Sequence, residues 1–245
     1  MSITATTSTR PEATTQESVR TGRTAQTVRT ARTTGLLYLG LAITGVLGFM
    51  LIRNQLFVAG DPEATLANLT QQPFLARLGI VTEMGIVITQ SLAALWFYRL
   101  FRSVNAFAAG SIAAFGLVNA VAILVSAALL ATALDVSQDA TLTLSSGAAA
   151  TAQLLYVMSG HLWTIGGIFF GLWLIPMGRL ARESRWMPSL LGWVLMIGGV
   201  GYVANALLSY LLPNAGSALT LLTMPATVGE LWMVGYLCTR GVRRS

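Results

Sequence analysis

The sequence predicts an all-α protein, a polytopic transmembrane bundle of six helices with both termini in the cytoplasm. The 245-residue chain is 54% hydrophobic and 10% charged, which is too apolar for an ordinary soluble domain. Its apolar residues form long continuous runs, and its basic residues cluster between alternate runs. Only helices and closed barrels satisfy every backbone polar group in lipid, and barrel strands alternate apolar with polar residues. Continuous runs therefore predict helices.

Six runs are long enough to cross a bilayer, which takes about 20 mostly apolar residues at about 1.5 Å of rise per residue. The predicted spans are Gly35 to Ile52, Leu78 to Leu100, Ala106 to Leu134, Thr151 to Leu174, Leu190 to Leu212 and Ala218 to Cys238. Between the first two, Asp61 and Pro62 predict the N-cap and first residue of a short external helix near residues 61–72. A polar external loop is predicted from Val136 to Ala150.

The basic residues set the predicted orientation, and all fifteen are arginine. With six spans, Arg53 and Arg77 fall on one side of the membrane and the other thirteen on the opposite side. Because short arginine-rich loops stay in the cytoplasm, both termini are expected inside. The net charge of +6 is then a topology signal. We expect a multi-pass protein of the cell membrane with the lipid bilayer as its partner and no nucleic acid.

The sequence predicts a division of the chain into three regions. Residues 1–32 are rich in threonine and arginine and predict a disordered cytoplasmic tail, since they cannot bury a core. Residues 33–240 form the transmembrane domain, and residues 241–245 form a basic cytoplasmic end.

The composition argues against several kinds of chemistry. A single cysteine, Cys238, excludes an internal disulfide and a cysteine-rich metal site. Because His161 is the one histidine, a zinc centre would need mainly carboxylates. Ser159 and His161 lie two positions apart and face different sides of a helix, which argues against a nucleophile and base pair. We predict no metal, no cofactor and no catalytic residue. A non-enzymatic role is favoured, although convergence of residues from different helices leaves the question open.

Polar residues inside the spans are the candidate binding residues. A charge at the bilayer centre costs about 2.5–3.5 kcal/mol, and such groups normally face the bundle interior. The candidates for binding a ligand or a proton are Glu83, His161, Glu230, Asn205 and Arg77. We expect Arg77 at the outer interface and Glu83 pointing inward, toward Asn119, His161 or Asn205. Pro225 is expected to kink the last helix.

Two functions remain open on this pattern. In the first, the bundle is a small transporter or carrier whose outward-facing polar pocket binds a cation, a proton or a small polar molecule. In the alternative, it is a non-catalytic membrane module that binds a partner protein or a lipid, and its polar side chains hold the helices together. A homo-oligomer is compatible with both.

A patterned run extends from Gly60 to Asn105 and reads GDPEATLANLTQQPFLARLGIVTEMGIVITQSLAALWFYRLFRSVN. It resembles the bacterial and archaeal membrane proteins grouped as domain of unknown function 4386. The later run PATVGELWMVGYLCTRG resembles the closing helix of that family, with Glu230 in its Gly-Glu pair. Glu83 stands where the family pattern has aspartate, and Asn205 where it has an acidic residue. The resemblance covers about Thr30 to Arg240 and implies six helices and no established activity.

Overall fold

The structure is a computed structural model that describes residues 11–143 and 147–242. Its helices are α1 (Pro11–Gly45), α2 (Arg53–Leu56), α3 (Pro62–Gln71), α4 (Pro73–Phe101), α5 (Ala106–Gln138), α6 (Gly147–Glu183), α7 (Ser189–Leu211), α8 (Gly216–Thr220) and α9 (Met224–Thr239). A π-helical turn, Val46–Ile52, joins α1 to α2, and 3₁₀ turns occupy Ala140–Leu142, Pro213–Ala215 and Leu221–Thr223.

Six helical segments are long and apolar enough to cross a membrane, which confirms the six predicted spans. The first span is Gln26–Leu56, the last span is Ala218–Thr239, and α4, α5, α6 and α7 lie between them. Each span packs against its neighbours in sequence, and the first span also packs against α9. The six spans therefore form a closed ring, as short connections between successive helices favour.

The short helix between the first two spans forms as its sequence signals predict. Asp61 caps α3 by accepting a hydrogen bond from the backbone N–H of Ala64 at 2.9 Å, and Pro62 is its first residue. Helix α3 packs against α6. Asn105 caps α5 in the same way, with its Oδ1 accepting from the N–H of Ala108 at 3.0 Å. Both caps satisfy backbone donors that the first turn of a helix leaves unpaired.

The first helix begins within the segment for which the sequence predicts a disordered tail. Helix α1 already begins at Pro11, whereas residues 1–10 lie outside the described residues. Ala31 is fully buried, and Val28 packs against the core. The alanine, glutamine and arginine residues of this segment are compatible with a helix, and contact with the bundle from Val28 onward favours its continuation.

The predicted loop from Val136 to Ala150 is shorter than expected, because α5 continues to Gln138 and α6 begins at Gly147. Residues 144–146 lie outside the described residues. At its start, Thr141 donates its hydroxyl and its backbone N–H to Asp139 Oδ1, and these bonds lower the pKa of the Asp139 carboxyl. The basic end predicted at 241–245 is described only as far as residue 242.

Glycines allow α6 and α7 to approach closely. A Cβ added at Gly171 or Gly178 would collide with the backbone carbonyl of Gly199 or Gly192 on the facing helix. Gly171 and Gly178 are seven residues apart, as are Gly192 and Gly199, so each pair lies on one helix face. Small residues promote such contacts in membranes, where no hydrophobic drive brings helices together. Gly171 and Gly178 therefore serve helix packing, whereas Gly167, one turn before Gly171, lines a cavity.

Two apolar cores fill the two ends of the ring. One contains the end of α4 and the middle of α6, with Phe97 and Trp173 among its fully buried residues. The other joins the end of the first span to the ends of α5 and α6 nearest to it, around Leu56 and Tyr156. Buried polar side chains, among them Glu83, Gln90 and Asn119, lie between these cores.

Candidate functional site

A cavity of about 320 Å³ lies between the first span and α9. Helices α4, α5, α6 and α7 each contribute side chains to its wall. Most of these are apolar, and the ones with hydrogen-bonding groups include Tyr38, Gln90, Asn119, Tyr202, Thr227 and Glu230. A concave, mostly apolar site with a few polar groups is the usual form of a small-molecule site.

Glu230 places a carboxylate on the cavity wall. Its Oε1 accepts a hydrogen bond from the hydroxyl of Tyr38 at 2.5 Å. Tyr38 is itself held by edge-on contacts with Phe97 and Trp173, whose ring centroids lie 5.4 and 5.7 Å away. Packing therefore fixes the hydroxyl that orients the Glu230 carboxylate. The bond joins the first span to α9 across the seam that closes the ring.

The last span brings Glu230 to this position through a break in its helix. Helix α8 ends at Thr220, a 3₁₀ turn covers Leu221–Thr223, and α9 starts at Met224 with Pro225 in its first turn. Proline is tolerated there because the first N–H groups of a helix have no intrahelical partner. The kink predicted at Pro225 is thus a helix start, and Thr227 and Glu230 follow it on the cavity wall.

Aromatic rings cover much of the remaining wall. Phe49, Trp163 and Phe170 line the cavity together with Tyr38 and Tyr202. Phe49 packs against Trp163 with ring centroids 4.5 Å apart, and Phe170 meets Tyr202 edge-on at 5.1 Å. Aromatic faces attract cations, most strongly in places that exclude water. One carboxylate among several rings is chemically suited to an ammonium group.

Two buried amides complete the polar part of the wall. Asn119 on α5 donates to Gln90 Oε1 on α4 at 3.1 Å. Gln90 is fully buried, and its Nε2 has no hydrogen-bond partner among the described residues. A buried donor without a partner costs free energy.

A second polar cluster surrounds Arg53 near the end of the first span. The guanidinium donates to Ser159 Oγ at 2.8 Å and to the Tyr156 carbonyl at 2.6 Å, both on α6. It also lies over the rings of Phe49, Phe57 and Tyr156, 5.5 to 5.7 Å from their centroids. Arg53 follows the π-helical turn directly. It therefore joins the first span to α6 by polar and aromatic contacts together.

Glu83 lies between the two clusters. It is 3% exposed, and its Oε1 accepts a hydrogen bond from Trp163 Nε1 at 3.0 Å. Within the part of the chain that the structure describes, the one ion pair joins Arg179 and Glu183 at 2.7 Å. The bonds that hold Glu83 and Glu230 thus come from neutral donors. The predicted inward orientation of Glu83 is correct, but its partner is Trp163 instead of Asn119, His161 or Asn205.

The other predicted site residues do not join this cavity. His161 is exposed, and its Nδ1 lies 2.8 Å from the hydroxyl of Tyr210 on α7. Asn205 is half-buried on α7 and lies off the cavity wall, with its carbonyl accepting from Ser209 Oγ at 2.7 Å. Arg77 is exposed near the start of α4. The structure thus brings together Glu230, Gln90 and Asn119, places Glu83 behind Trp163, and leaves the other three apart.

Sequence reasoning missed three residues of these clusters. Tyr38 and Trp163 are amphipathic aromatics within apolar runs, where they resemble ordinary core residues until their polar atoms are located. Arg53 stands at the end of a predicted span and was interpreted only as a topology signal. A cation next to the aromatic Phe49 and Phe57 in the sequence was the available hint.

No group of three or more histidine, cysteine, aspartate or glutamate side chains that could hold a metal occurs among the described residues. The arrangement is suited to binding a ligand through a carboxylate, two amides and aromatic faces.

Fold and cavity together define a multi-pass α-helical membrane protein with a carboxylate on the wall of an internal cavity. The chain belongs to the family described as Domain of unknown function (DUF4386), whose model matches residues 33–241. No curated protein and no solved structure matches the chain.

Proposed function

We propose that this protein is a small membrane carrier whose cavity binds an organic cation, with Glu230 accepting hydrogen bonds from its ammonium group. The observation that carries the proposal is the Glu230 carboxylate on the wall of a cavity of about 320 Å³. We further propose that the protein lies in the cell membrane of a prokaryote. Its arginine distribution predicts that both termini are inside.

The position of the Glu230 carboxylate, half-buried on the cavity wall, supports a binding role. A charged group inside a span is expensive, and a glutamine could equally accept the hydrogen bond of Tyr38. A cationic ligand would offset that cost by pairing with the carboxylate. The aromatic rings of Tyr38, Trp163 and Tyr202 would stabilise the same positive charge, and the apolar wall would cover the hydrocarbon part of the ligand.

The proposal is tested by measuring ligand-induced thermal stabilisation of the purified protein with hexylamine and with hexanol, which share a chain and differ in the head group. A ligand that binds the native state raises its stability by mass action. We expect stabilisation by the amine and far less by the alcohol. The substitution Glu230→Gln should weaken amine binding by about 10- to 100-fold, since hydrogen bonds to charged groups contribute about 1.5–3 kcal/mol.

The matched control is Glu83→Gln. It replaces the other buried carboxyl, which lies off the cavity wall, and the amide oxygen introduced at position 83 can still accept from Trp163. Amine binding should stay close to that of the wild type. Equal stabilisation by the amine in wild type and Glu230→Gln would contradict the proposal. Uptake of a labelled alkylamine into liposomes then tests transport, as distinct from binding.

A non-catalytic membrane module is the second candidate. It is favoured by the cluster around Arg53, whose hydrogen bonds join the first span to α6, and by the bond between Ser126 and Ser159 at 2.8 Å, which joins α5 to α6. These hydrogen bonds hold the helices of the bundle together, as interhelical polar bonds commonly do in membranes. If no amine stabilises the protein and every substitution merely lowers its stability, this candidate is preferred.

A further inference from the structure

We infer that the cavity is filled sideways from the bilayer, through an opening between the first span and α9, and that its ligand is an amine with a hydrocarbon tail. The inference rests on the proposed function and adds to it the route of entry and the class of cation.

The first observation is that side chains of the cavity wall also lie on the outer surface of the bundle. Val46, Phe49 and Met50 of the first span are 47%, 38% and 60% exposed, and Leu231 of α9 is 60% exposed. All four line the cavity. The wall therefore reaches the outside between these two helices.

The depth of these residues identifies what they face. Val46 is about 15 Å of helix rise from the end of the first span at Leu56, and Leu231 is about 12 Å from the end of α9 at Thr239. The apolar part of a bilayer is about 30 Å thick, so both lie well inside it. Apolar side chains exposed at this depth contact lipid tails, and the opening between them leads into the hydrocarbon.

The same two helices are tightly closed toward the other end of the seam. A Cβ added at Gly35 would lie 2.8 Å from Leu237 Cβ, which leaves no room for a ligand there. Tyr38, three residues after Gly35, forms the hydrogen bond to Glu230, which therefore lies where the two helices meet. Val46, Phe49 and Met50 lie about two to three helical turns farther along the first span. Together with Leu231 they form the mouth of the cavity.

This arrangement selects a ligand with two ends. The ammonium group reaches Glu230 where Tyr38 joins the two helices, and a hydrocarbon tail extends past Met50 and Leu231 into lipid. Such a molecule partitions into the bilayer in proportion to its apolar surface, which places it at the opening. A small hydrophilic cation has no comparable route through the side of the bundle.

The experiment measures association and dissociation rates of dodecylamine with a fluorophore on its tail, using the full chain in lipid nanodiscs. Two substitutions narrow the mouth, Met50→Trp and Leu231→Trp, and two widen it, Met50→Ala and Leu231→Ala. The controls are Leu47→Trp and Val228→Trp, which change neighbouring exposed residues off the cavity wall.

A change at the mouth alters the energy barrier for entry and for exit of the ligand alike. The Trp variants should slow both rates by about tenfold while Kd, their ratio, stays within about threefold. The Ala variants should speed both rates, and the controls should behave as the wild type. If Trp slows both rates and Ala speeds them, the side chains at positions 50 and 231 act as a barrier at the opening. A tryptophan that only filled the cavity would not be accompanied by faster rates in the Ala variants.

Two results overturn the inference, and they are distinguishable. If amine binding depends on Glu230 but the rates are the same in wild type, Trp and Ala variants, entry does not occur through this opening and the proposed function stands. If no binding depends on Glu230, the proposed function fails and the inference fails with it.

Discussion

Trp163 donates its indole N–H to Glu83 Oε1 at 3.0 Å, and its ring lines the cavity that Glu230 borders. One side chain therefore binds the buried Glu83 carboxyl and borders the cavity of the half-buried Glu230 carboxyl. Glu83 is enclosed behind the ring, where it can hold helix α6 against α4. Glu230 remains on the cavity wall. This division assigns a mainly structural role to one glutamate and a binding role to the other.

Replacing Trp163 by phenylalanine tests the structural role assigned to Glu83. Trp163→Phe keeps an aromatic ring on the cavity wall and removes the donor to Glu83, so it should lower the free energy of unfolding by about 1–3 kcal/mol. The measurement is chemical denaturation in detergent micelles. In a Glu83→Gln background the same change should cost less, because an amide is less costly to leave unpaired than a carboxylate. Equal costs in both backgrounds would show that the bond contributes little.

Arg53 and Arg77 are predicted to differ strongly in their importance for stability. Arg53→Ala removes two hydrogen bonds to α6 and the contacts over three rings, and should cost about 2–3 kcal/mol. Arg77→Ala changes an exposed residue and should stay within about 0.5 kcal/mol. Thermal denaturation of the two variants side by side makes the comparison. Similar losses for both would contradict the structural role of the Arg53 cluster.

Glycine substitutions distinguish close helix contacts from open positions. Gly171→Ala forces a methyl group against the Gly199 carbonyl and should destabilise the bundle by about 1–3 kcal/mol. At Gly235 on α9, a Cβ meets nothing within 4 Å. Gly235→Ala should therefore be neutral or stabilise the helix by about 0.5–1 kcal/mol. The unfolding midpoint of Gly171→Ala should fall, and that of Gly235→Ala should stay the same or rise.

His161 should be dispensable for ligand binding, although it is the only histidine. His161→Ala removes a bond to Tyr210 on the outside of the bundle and should cost at most about 0.5–1.5 kcal/mol. Stabilisation by hexylamine should be the same as in the wild type. A loss of binding comparable to that of Glu230→Gln would instead include His161 in the site.

The orientation predicted from the arginines is open to direct measurement. In a Cys238→Ser background, single cysteines at Glu63 on α3 and at Arg102 after α4 lie at opposite ends of one span. A membrane-impermeant thiol reagent applied to intact cells should label the first and not the second. Labelling of Arg102→Cys alone would reverse the topology and leave the cavity and its ligand unchanged.

The sequence predicted the spans well, because the length and polarity of each run are local properties that the bilayer constrains strongly. The N-cap of α3 was equally predictable from Asp61 and Pro62, since capping depends on adjacent residues. The start of the first helix was not predictable in this way, and disorder of residues 1–32 stays a prediction. Val28 and Ala31 pack against residues of other helices, which the composition of the tail does not indicate.

The candidate site was predicted only in part. Glu230 and Glu83 stood out because a carboxyl inside a span is costly wherever it lies. His161 and Asn205 were candidates because they are polar residues inside spans, yet they lie off the cavity wall. Helical periodicity says which residues share a face of one helix, but it does not say which neighbour that face meets.

By itself the sequence determined that this is a six-span helical membrane protein with a few costly polar groups inside. Tertiary structure alone decided that Tyr38 meets Glu230 and that Trp163 shields Glu83. It also decided that the first span and α9 part to leave a cavity. The physical reason is that these contacts join residues far apart in the chain, up to 192 positions for Tyr38 and Glu230. They depend on the rotation of each of the six apolar helices about its own axis relative to its neighbours.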